Sequence, residues 1–184
     1  AALRAPLVVE AVGAGGVKRM LDVGGGSGAY SIAFAKANPM LEAELLDLPS
    51  VVPIAERHIA EAGLEARIRT RTGDLRSDPF GAGYDLVLVS AICHMLGPEE
   101  NRALFARIRK ALVPGGRVVM QDFIVDDGGT APQHAALFAV NMLVGTEAGR
   151  TYSEAEYRSW LRDAGFASVR LVGLPGPSDL VIGA

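Results

Sequence analysis

The sequence predicts an α/β fold: a mostly parallel sheet with helices on both faces, finished by an antiparallel pair of strands. Three observations predict it. Apolar strand-like runs alternate with helix-like segments as βαβαβ, then βαβ, then αββ, seven strands in all. The run Asp85-Leu86-Val87-Leu88-Val89-Ser90 is apolar without interruption between its ends, as expected of a strand buried on both faces. The stretch Leu21-Asp22-Val23-Gly24-Gly25-Gly26-Ser27-Gly28 puts four glycines into five residues where a strand turns into a helix. Such a turn lets a ligand approach the backbone and aims the first helical N–H groups at it.

The elements follow in order. Leu3, Leu7, Val8 and Ala11 give a helical spacing, ended at Gly13-Ala14-Gly15-Gly16. Lys18 to Val23 reads as the first strand and Ala29 to Ala37 as the first crossover helix, stopped by Asn38-Pro39. Leu41 to Leu46 is a second strand ending on Asp47, and Ser50 is the expected N-cap of a helix whose buried face is Val52, Ala55, Ile59 and Ala62. Gly63 ends that helix, and Ala66 to Thr72 is a third strand followed by Gly73-Asp74. After Asp85 to Ser90, a helix runs from Pro98, with Glu99 and Glu100 in its first turn, to Leu112. Pro114-Gly115-Gly116 reads as a turn, Arg117 to Val125 as the fifth strand and Gln133 to Val144 as a helix. Ser153 and Glu156 match a capping box opening a helix to Ala164. Ala167 to Gly173 and Asp179 to Gly183 are joined by a short loop, so they must be antiparallel.

Composition narrows the function. With 184 residues and 49% hydrophobic content, the chain can bury a sizeable core. The net charge is −3, without a basic stripe, which argues against nucleic acid as a partner. There is neither an apolar run of membrane-spanning length nor a signal-peptide pattern, so no membrane partner is expected. The one cysteine, Cys93, fits a reducing compartment, and a cytoplasmic setting is expected. No metal-ligand cluster is apparent.

In an open α/β sheet the ligand sits beyond the carboxyl ends of the strands. The residues expected there are Asp22, Gly24 to Gly28, Asp47-Leu48, Asp74-Leu75 and Ser90 to His94. Asp47 follows the glycine turn at the distance from which a carboxylate accepts both ribose hydroxyls of a nucleotide-like ligand. The turn is also a relaxed dinucleotide fingerprint, which keeps a hydride-transferring enzyme as a distant alternative. Asp22, Asp47 and Asp74 end three successive strands, which suits a cationic ligand better than a pyrophosphate.

Taken together, LDVGGGSG, LLDLPSVV, the GDL after the third strand, SAICHML, PGGRVVMQD and AVNMLVGTEAGRTYSEAEYRSWLRDAGF are recognisable in their order. The chain resembles the class I S-adenosylmethionine (SAM) methyltransferases, and among them the small-molecule O-methyltransferases of the plant caffeic-acid and bacterial polyketide-tailoring type. The resemblance implies a Rossmann-like sheet of seven strands and SAM as cofactor. It implies methyl transfer to a hydroxyl of a small aromatic or polyketide-like acceptor. Gly24, Gly26 and Gly28 would pass under the methionine moiety, Asp47 would bind the ribose, and Leu48, Asp74 and Leu75 would frame the adenine. Asp22 and Ser90 complete the expected cofactor residues, Ser90 standing where plant relatives carry lysine. His94 falls at the family's catalytic histidine and Asp122 at the carboxylate that orients it. Thr151 stands where relatives often carry a second carboxylate, and Met95-Leu96 where many have Asp-Trp.

A histidine within reach of a phenol can take its proton as the methyl is transferred, and a carboxylate on its other nitrogen sets the tautomer. His134, Phe138, Asn141 and Met142 are expected to face the acceptor. His58 reads as solvated surface, Trp160 as core and Cys93 as a packed thiol. Residues 1–16 read as a connecting helix and 17–184 as the catalytic domain. The resemblance further implies an N-terminal dimerisation domain outside this chain, a homodimer of the full-length protein, and apolar surface left open around Leu137 to Val144. A SAM-binding protein with C- or N-methylating or degraded acceptor chemistry is the alternative.

Overall fold

The computed structural model describes residues 1–184. Its elements are α1 (Ala5–Val12), β1 (Arg19–Val23), α2 (Ala29–Ala37), β2 (Glu42–Asp47), α3 (Val52–Glu61), β3 (Ile68–Thr72) and β4 (Tyr84–Ser90). A single 3₁₀ turn, Cys93–Met95, precedes α4 (Pro98–Ala111), β5 (Leu112–Asp122), β6 (Ile124–Val125) and α5 (Gln133–Gly145). The chain ends with β7 (Tyr152–Ser153), α6 (Glu154–Asp163), β8 (Val169–Val172) and β9 (Asp179–Gly183). The strands hydrogen-bond in the order β3-β2-β1-β4-β5-β9-β8, a seven-stranded sheet, while β6 and β7 form a separate pair. This is the predicted class I fold: parallel where β3, β2, β1 and β4 meet, antiparallel where β5, β9 and β8 meet.

The chain divides into two compact units, residues 1–89 with 111–117, and residues 90–110 with 118–184. In the first, β1 lies between β2 and β4, so both its backbone edges are paired, and Met20, Leu21, Asp22 and Val23 are all buried. Burying each apolar side chain of that size contributes about 1.5–3 kcal/mol. Phe34 of α2, Leu45 and Leu46 of β2, and Ala55 and Ile59 of α3 close the core. The face expected for α3 is the one that is buried.

Two local expectations fail here. Ser50 does not cap α3: the N-cap is Val51, without a side-chain cap. The amides of Val51 and Val52 both bond the Leu48 carbonyl, so the chain is already wound at Val51 and Pro53 continues it. Pro114-Gly115-Gly116 is not a turn between elements but part of β5. Gly115, at φ +78°, bends the strand, and a Cβ on Gly116 would stand 3.0 Å from the Tyr84 carbonyl oxygen.

In the second unit, β9 runs antiparallel to both β5 and β8, as the short connection requires. The strand expected to run on to Val125 stops at Asp122 and resumes after Phe123 as β6, which pairs in parallel with β7. The capping box is formed: the Glu156 amide donates to Ser153 Oγ, and the Ser153 amide to Glu156 Oε2. Tyr152, Tyr157 and Trp160 pack edge to face with centroids 4.8–5.9 Å apart, so Trp160 is core. Helix α5 differs from the rest. Ala135 is buried, whereas Leu137, Val140, Leu143 and Val144 are exposed. The apolar surface expected there is present.

Candidate functional site

The first unit carries the glycine turn. Gly24, Gly26 and Gly28 all have positive φ, between +57° and +77°, a region open to glycine at no steric cost. Gly25 is confined differently: a Cβ there would lie 2.5 Å from Leu45 Cγ and 2.9 Å from Asp22 Cγ. A Cβ on Gly26 would meet nothing within 4 Å, so that residue presents bare backbone to open space. Gly28 is the N-cap of α2 and brings no side-chain cap, leaving the helix end to another partner.

Asp47 ties β2 to this turn. Its Oδ2 accepts the Gly26 amide at 2.7 Å, and its Oδ1 accepts the Leu48 amide at 2.7 Å. It is half-buried, and Leu48 beside it is exposed. Asp74 and Leu75 are half-buried after β3, where Asp74 Oδ1 accepts the Arg76 amide at 2.8 Å. The three strand-end carboxylates are therefore not equivalent. Asp22 is wholly buried beneath Gly25, and its Oδ2 accepts the Ser31 hydroxyl at 2.7 Å. Its Oδ1 is buried without a hydrogen-bond partner. Burial raises its pKa to about 6, against the lowering effect of the Ser31 bonds and with a further push from Asp47.

His58 is not solvated surface. It is half-buried, and its Nδ1 lies 3.1 Å from the Ser27 carbonyl oxygen, so α3 braces the turn from the side. Both residues line a cavity of about 730 Å³ whose other walls include Pro6, Val9 and Ile32.

These residues fit a nucleoside bearing an amino-acid tail. The turn supplies open backbone at Gly26, Asp47 supplies a carboxylate in position for hydroxyls, Leu48 and Leu75 supply apolar surface, and the α2 N-terminus favours a carboxylate.

The second unit carries the histidine. His94 lies in the 3₁₀ turn and is 7% exposed. Its Nδ1 stands 2.6 Å from Asp122 Oδ1, and its amide donates to Asp122 Oδ2 at 3.1 Å. The Phe123 amide donates to Oδ1 at 2.8 Å, so three donors hold a carboxylate that is 1% exposed. Because Asp122 is an acceptor, Nδ1 carries the proton in the neutral ring, and Nε2 keeps its lone pair. Phe138 of α5 meets the imidazole edge to face at 4.9 Å and stacks on Phe123 at 4.0 Å.

The loop that carries His94 is held from several sides. Ala91, just past β4, has φ +57°, uncommon for a residue with a side chain. Its amide donates to the Gln121 carbonyl at 2.9 Å. Asn101 Nδ2 donates to the carbonyls of Cys93 and Leu96, and the Tyr152 hydroxyl donates to that of Leu96. A Cβ on Gly149 would stand 2.2 Å from the His94 carbonyl oxygen. Asn101, Gly149, Tyr152 and Phe123 were not singled out from the sequence. Asn101 alone left a signal, a polar residue in helical register with the apolar Leu104, Phe105 and Ile108.

The remaining expected residues are placed as follows. Ser90 donates to Gln121 Oε1 at 3.0 Å, and Gln121 Nε2 donates to Ser178 Oγ at 2.9 Å. His134 is exposed, with Nε2 2.9 Å from the Pro177 carbonyl oxygen. Asn141 is exposed and Met142 half-buried on α5. Thr151 is buried. Burial pushes the Cys93 thiol well above its ordinary range, with Asp122 adding to the shift, so it remains a packed thiol. No helix is long and apolar enough to cross a membrane.

The comparisons with known proteins agree with this fold. An O-methyltransferase domain model matches residues 2–167. The 3-hydroxy-5-methyl-1-naphthoate 3-O-methyltransferase of Streptomyces sahachiroi is 43% identical over 98% of this chain and 53% of its own length. The L-tyrosine C(3)-methyltransferase of Streptomyces lavendulae is 41% identical over 95% of this chain and 49% of its own. The crystal structure of human N-acetylserotonin methyltransferase in complex with SAM superposes with a TM-score of 0.88 at 25% identity, covering 98% of this chain and 51% of that one. The chain thus spans about half the length of the curated relatives it matches. With its seven-stranded sheet, its glycine turn and its buried His94–Asp122 pair, this chain belongs to the O-methyltransferase domain family.

Proposed function

We propose that this chain is the catalytic part of a SAM-dependent O-methyltransferase that methylates a hydroxyl of a small aromatic or polyketide-like acceptor. The observation that carries the reading is the Asp122–His94 pair, in which a carboxylate oxygen 2.6 Å from Nδ1 directs the lone pair of the neutral ring to Nε2. When bound, SAM supplies a methyl group on a sulfonium sulfur. Gly24, Gly26 and Gly28 would hold its amino-acid tail, Asp47 would take the ribose hydroxyls, and Leu48, Asp74 and Leu75 would flank the base. Asp22 supports the turn from beneath, and Ser90 is a further cofactor residue. His94 Nε2 accepts the acceptor's hydroxyl proton, raising the nucleophilicity of that oxygen. Asp122 stabilises the imidazolium so formed and keeps the ring from turning. Phe138, with Met142, Asn141 and His134, lies on the acceptor side.

The reading extends to a homodimer of the full-length protein built through a domain outside these residues. The exposed apolar face of α5 and the length of the relatives support that. A cytoplasmic setting is supported by the single, buried cysteine.

The test is calorimetric titration with SAM, S-adenosylhomocysteine and NAD(P)H, then turnover of phenolic and hydroxynaphthoic acceptors. SAM binding and a methyl ether product are expected. NAD(P)H binding without SAM binding overturns the reading. A second reading, methylation at the carbon beside a phenolic oxygen, is favoured by the tyrosine C-methylating relative, since the same base would activate that carbon. Product NMR separates a methyl ether from a ring methyl.

A further inference from the structure

We propose that Phe123 is an acceptor-selecting residue. With Phe138 it would form a stacked aromatic wall beside His94 that favours flat, fused-ring hydroxyl acceptors over single-ring ones. The proposal rests on the reading of His94 as the base at the acceptor end.

Phe123 occupies the one-residue gap between β5 and β6, directly after the carboxylate that holds His94. Its amide donates to Asp122 Oδ1 at 2.8 Å, so its backbone is fixed to the same group as the imidazole. Its ring stacks on Phe138 at 4.0 Å with 21° between the planes and lies 6.2 Å from the His94 ring, inclined by 68°. Phe138 meets the same imidazole at 4.9 Å and 89°.

Burial sets this pair apart from the structural aromatics of its unit. Tyr152, Tyr157, Phe105 and Trp160 are 0–2% exposed, whereas Phe123 and Phe138 are only half-buried. Phe123 and Phe138 thus keep ring surface open beside His94, which those four buried rings do not. Both rings stand against the imidazole, so an aromatic acceptor whose hydroxyl reaches His94 meets them. An offset stack gains with overlapping area, so a two-ring acceptor gains more from the wall than a one-ring acceptor does. A saturated alcohol has no face to offer.

The test compares 2-naphthol with phenol as probes, in the natural polypeptide that carries this chain, saturated with S-adenosylhomocysteine. Binding is measured by calorimetry for the parent, F123A, F123L and F123Y. F123L keeps apolar volume and F123Y keeps the aromatic face, so a folding failure of F123A leaves the test intact. Naphthol binding is expected to weaken about five- to tenfold in F123A and F123L, phenol binding to change less than about twofold, and F123Y to retain the parent preference. The affinity for S-adenosylhomocysteine should stay unchanged. An unchanged naphthol-to-phenol ratio, an equal loss for both, or no naphthol binding by the parent overturns the proposal. Turnover by H94Q is measured separately. If it is unimpaired, the base assignment falls while the binding preference set by Phe123 stands or falls on its own numbers.

Discussion

The carboxylate of Asp122 grips His94 twice, accepting the ring Nδ1–H at 2.6 Å on one oxygen and the backbone amide at 3.1 Å on the other. The second bond places the residue and the first orients its ring. A carboxamide at position 122 would offer Nδ1–H only one oxygen and would set an N–H against the other donor. D122N and H94A are both expected to lower kcat about 10²–10⁴-fold, with the affinity for SAM within about twofold of the parent. Single-turnover rates beside calorimetric titration check this. A variant that binds SAM normally and turns over normally removes general-base catalysis from the account.

Asp22, beneath the glycine turn, should make the stability of the fold depend on pH. Its folded value, about 6, lies above the ordinary 3.8, chiefly because burial penalises the charge. Between those values the native state holds the proton more tightly than the unfolded chain. The stability this group contributes is full below about pH 4 and is lost as pH rises through 6. D22N, neutral throughout, lacks that dependence. Relative to D22N, the parent should lose about 2–3 kcal/mol of unfolding free energy between about pH 3.5 and 7.5. Urea unfolding of both proteins at the two pH values checks it; parallel curves would contradict it.

The glycines of the turn should separate into two kinds. G25A drives a Cβ to 2.5 Å from Leu45 Cγ, a core clash expected to cost about 1–3 kcal/mol of stability. G26A meets no atom within 4 Å, so its cost is the strain of an alanine at φ +57°, about 1–2 kcal/mol, together with a side chain in the ligand's path. Thermal unfolding and SAM titration should therefore show G25A chiefly unstable and G26A chiefly weakened in binding, by more than tenfold.

Gly149 packs against the backbone of the loop that carries His94. A Cβ there would overlap the His94 carbonyl oxygen at 2.2 Å and crowd Met95 Cα at 3.0 Å, both backbone atoms. G149A is expected to displace the 3₁₀ turn, costing about 1–3 kcal/mol of stability and lowering kcat while SAM affinity holds. Equal kcat in G149A and the parent would show that the loop adjusts freely.

Much of this was legible because it is local. The glycine turn before it and Asn38-Pro39 after it located α2 to the residue, and Ser153 with Glu156 announced a cap that the structure forms. The antiparallel ending of the sheet followed from the shortness of the loop before Asp179. The failures are local as well. Ser50 has the right chemistry for a cap, but it sits inside the turn that the Val51 amide closes on the Leu48 carbonyl, and three turn-forming residues at Pro114 are drawn into a strand. There, pairing with a neighbour outweighs the preference of the residues themselves.

The sequence alone determined the order of the main sheet's strands and of the helices between them, the glycine turn, the acids at the strand ends and the residue types of the His94–Asp122 pair. Those depend on spacing along the chain, where a few residues decide the outcome. Only the tertiary structure decided that Asp22 lies beneath the turn while Asp47 faces it, that His58 braces Ser27, and that Phe123 joins Phe138 beside the imidazole. His94 and Asp122 are 28 residues apart in sequence, and Gly149 is more distant still. Contacts of that range are set by which elements pack together, and the preference of any single residue for its neighbours in sequence does not encode them.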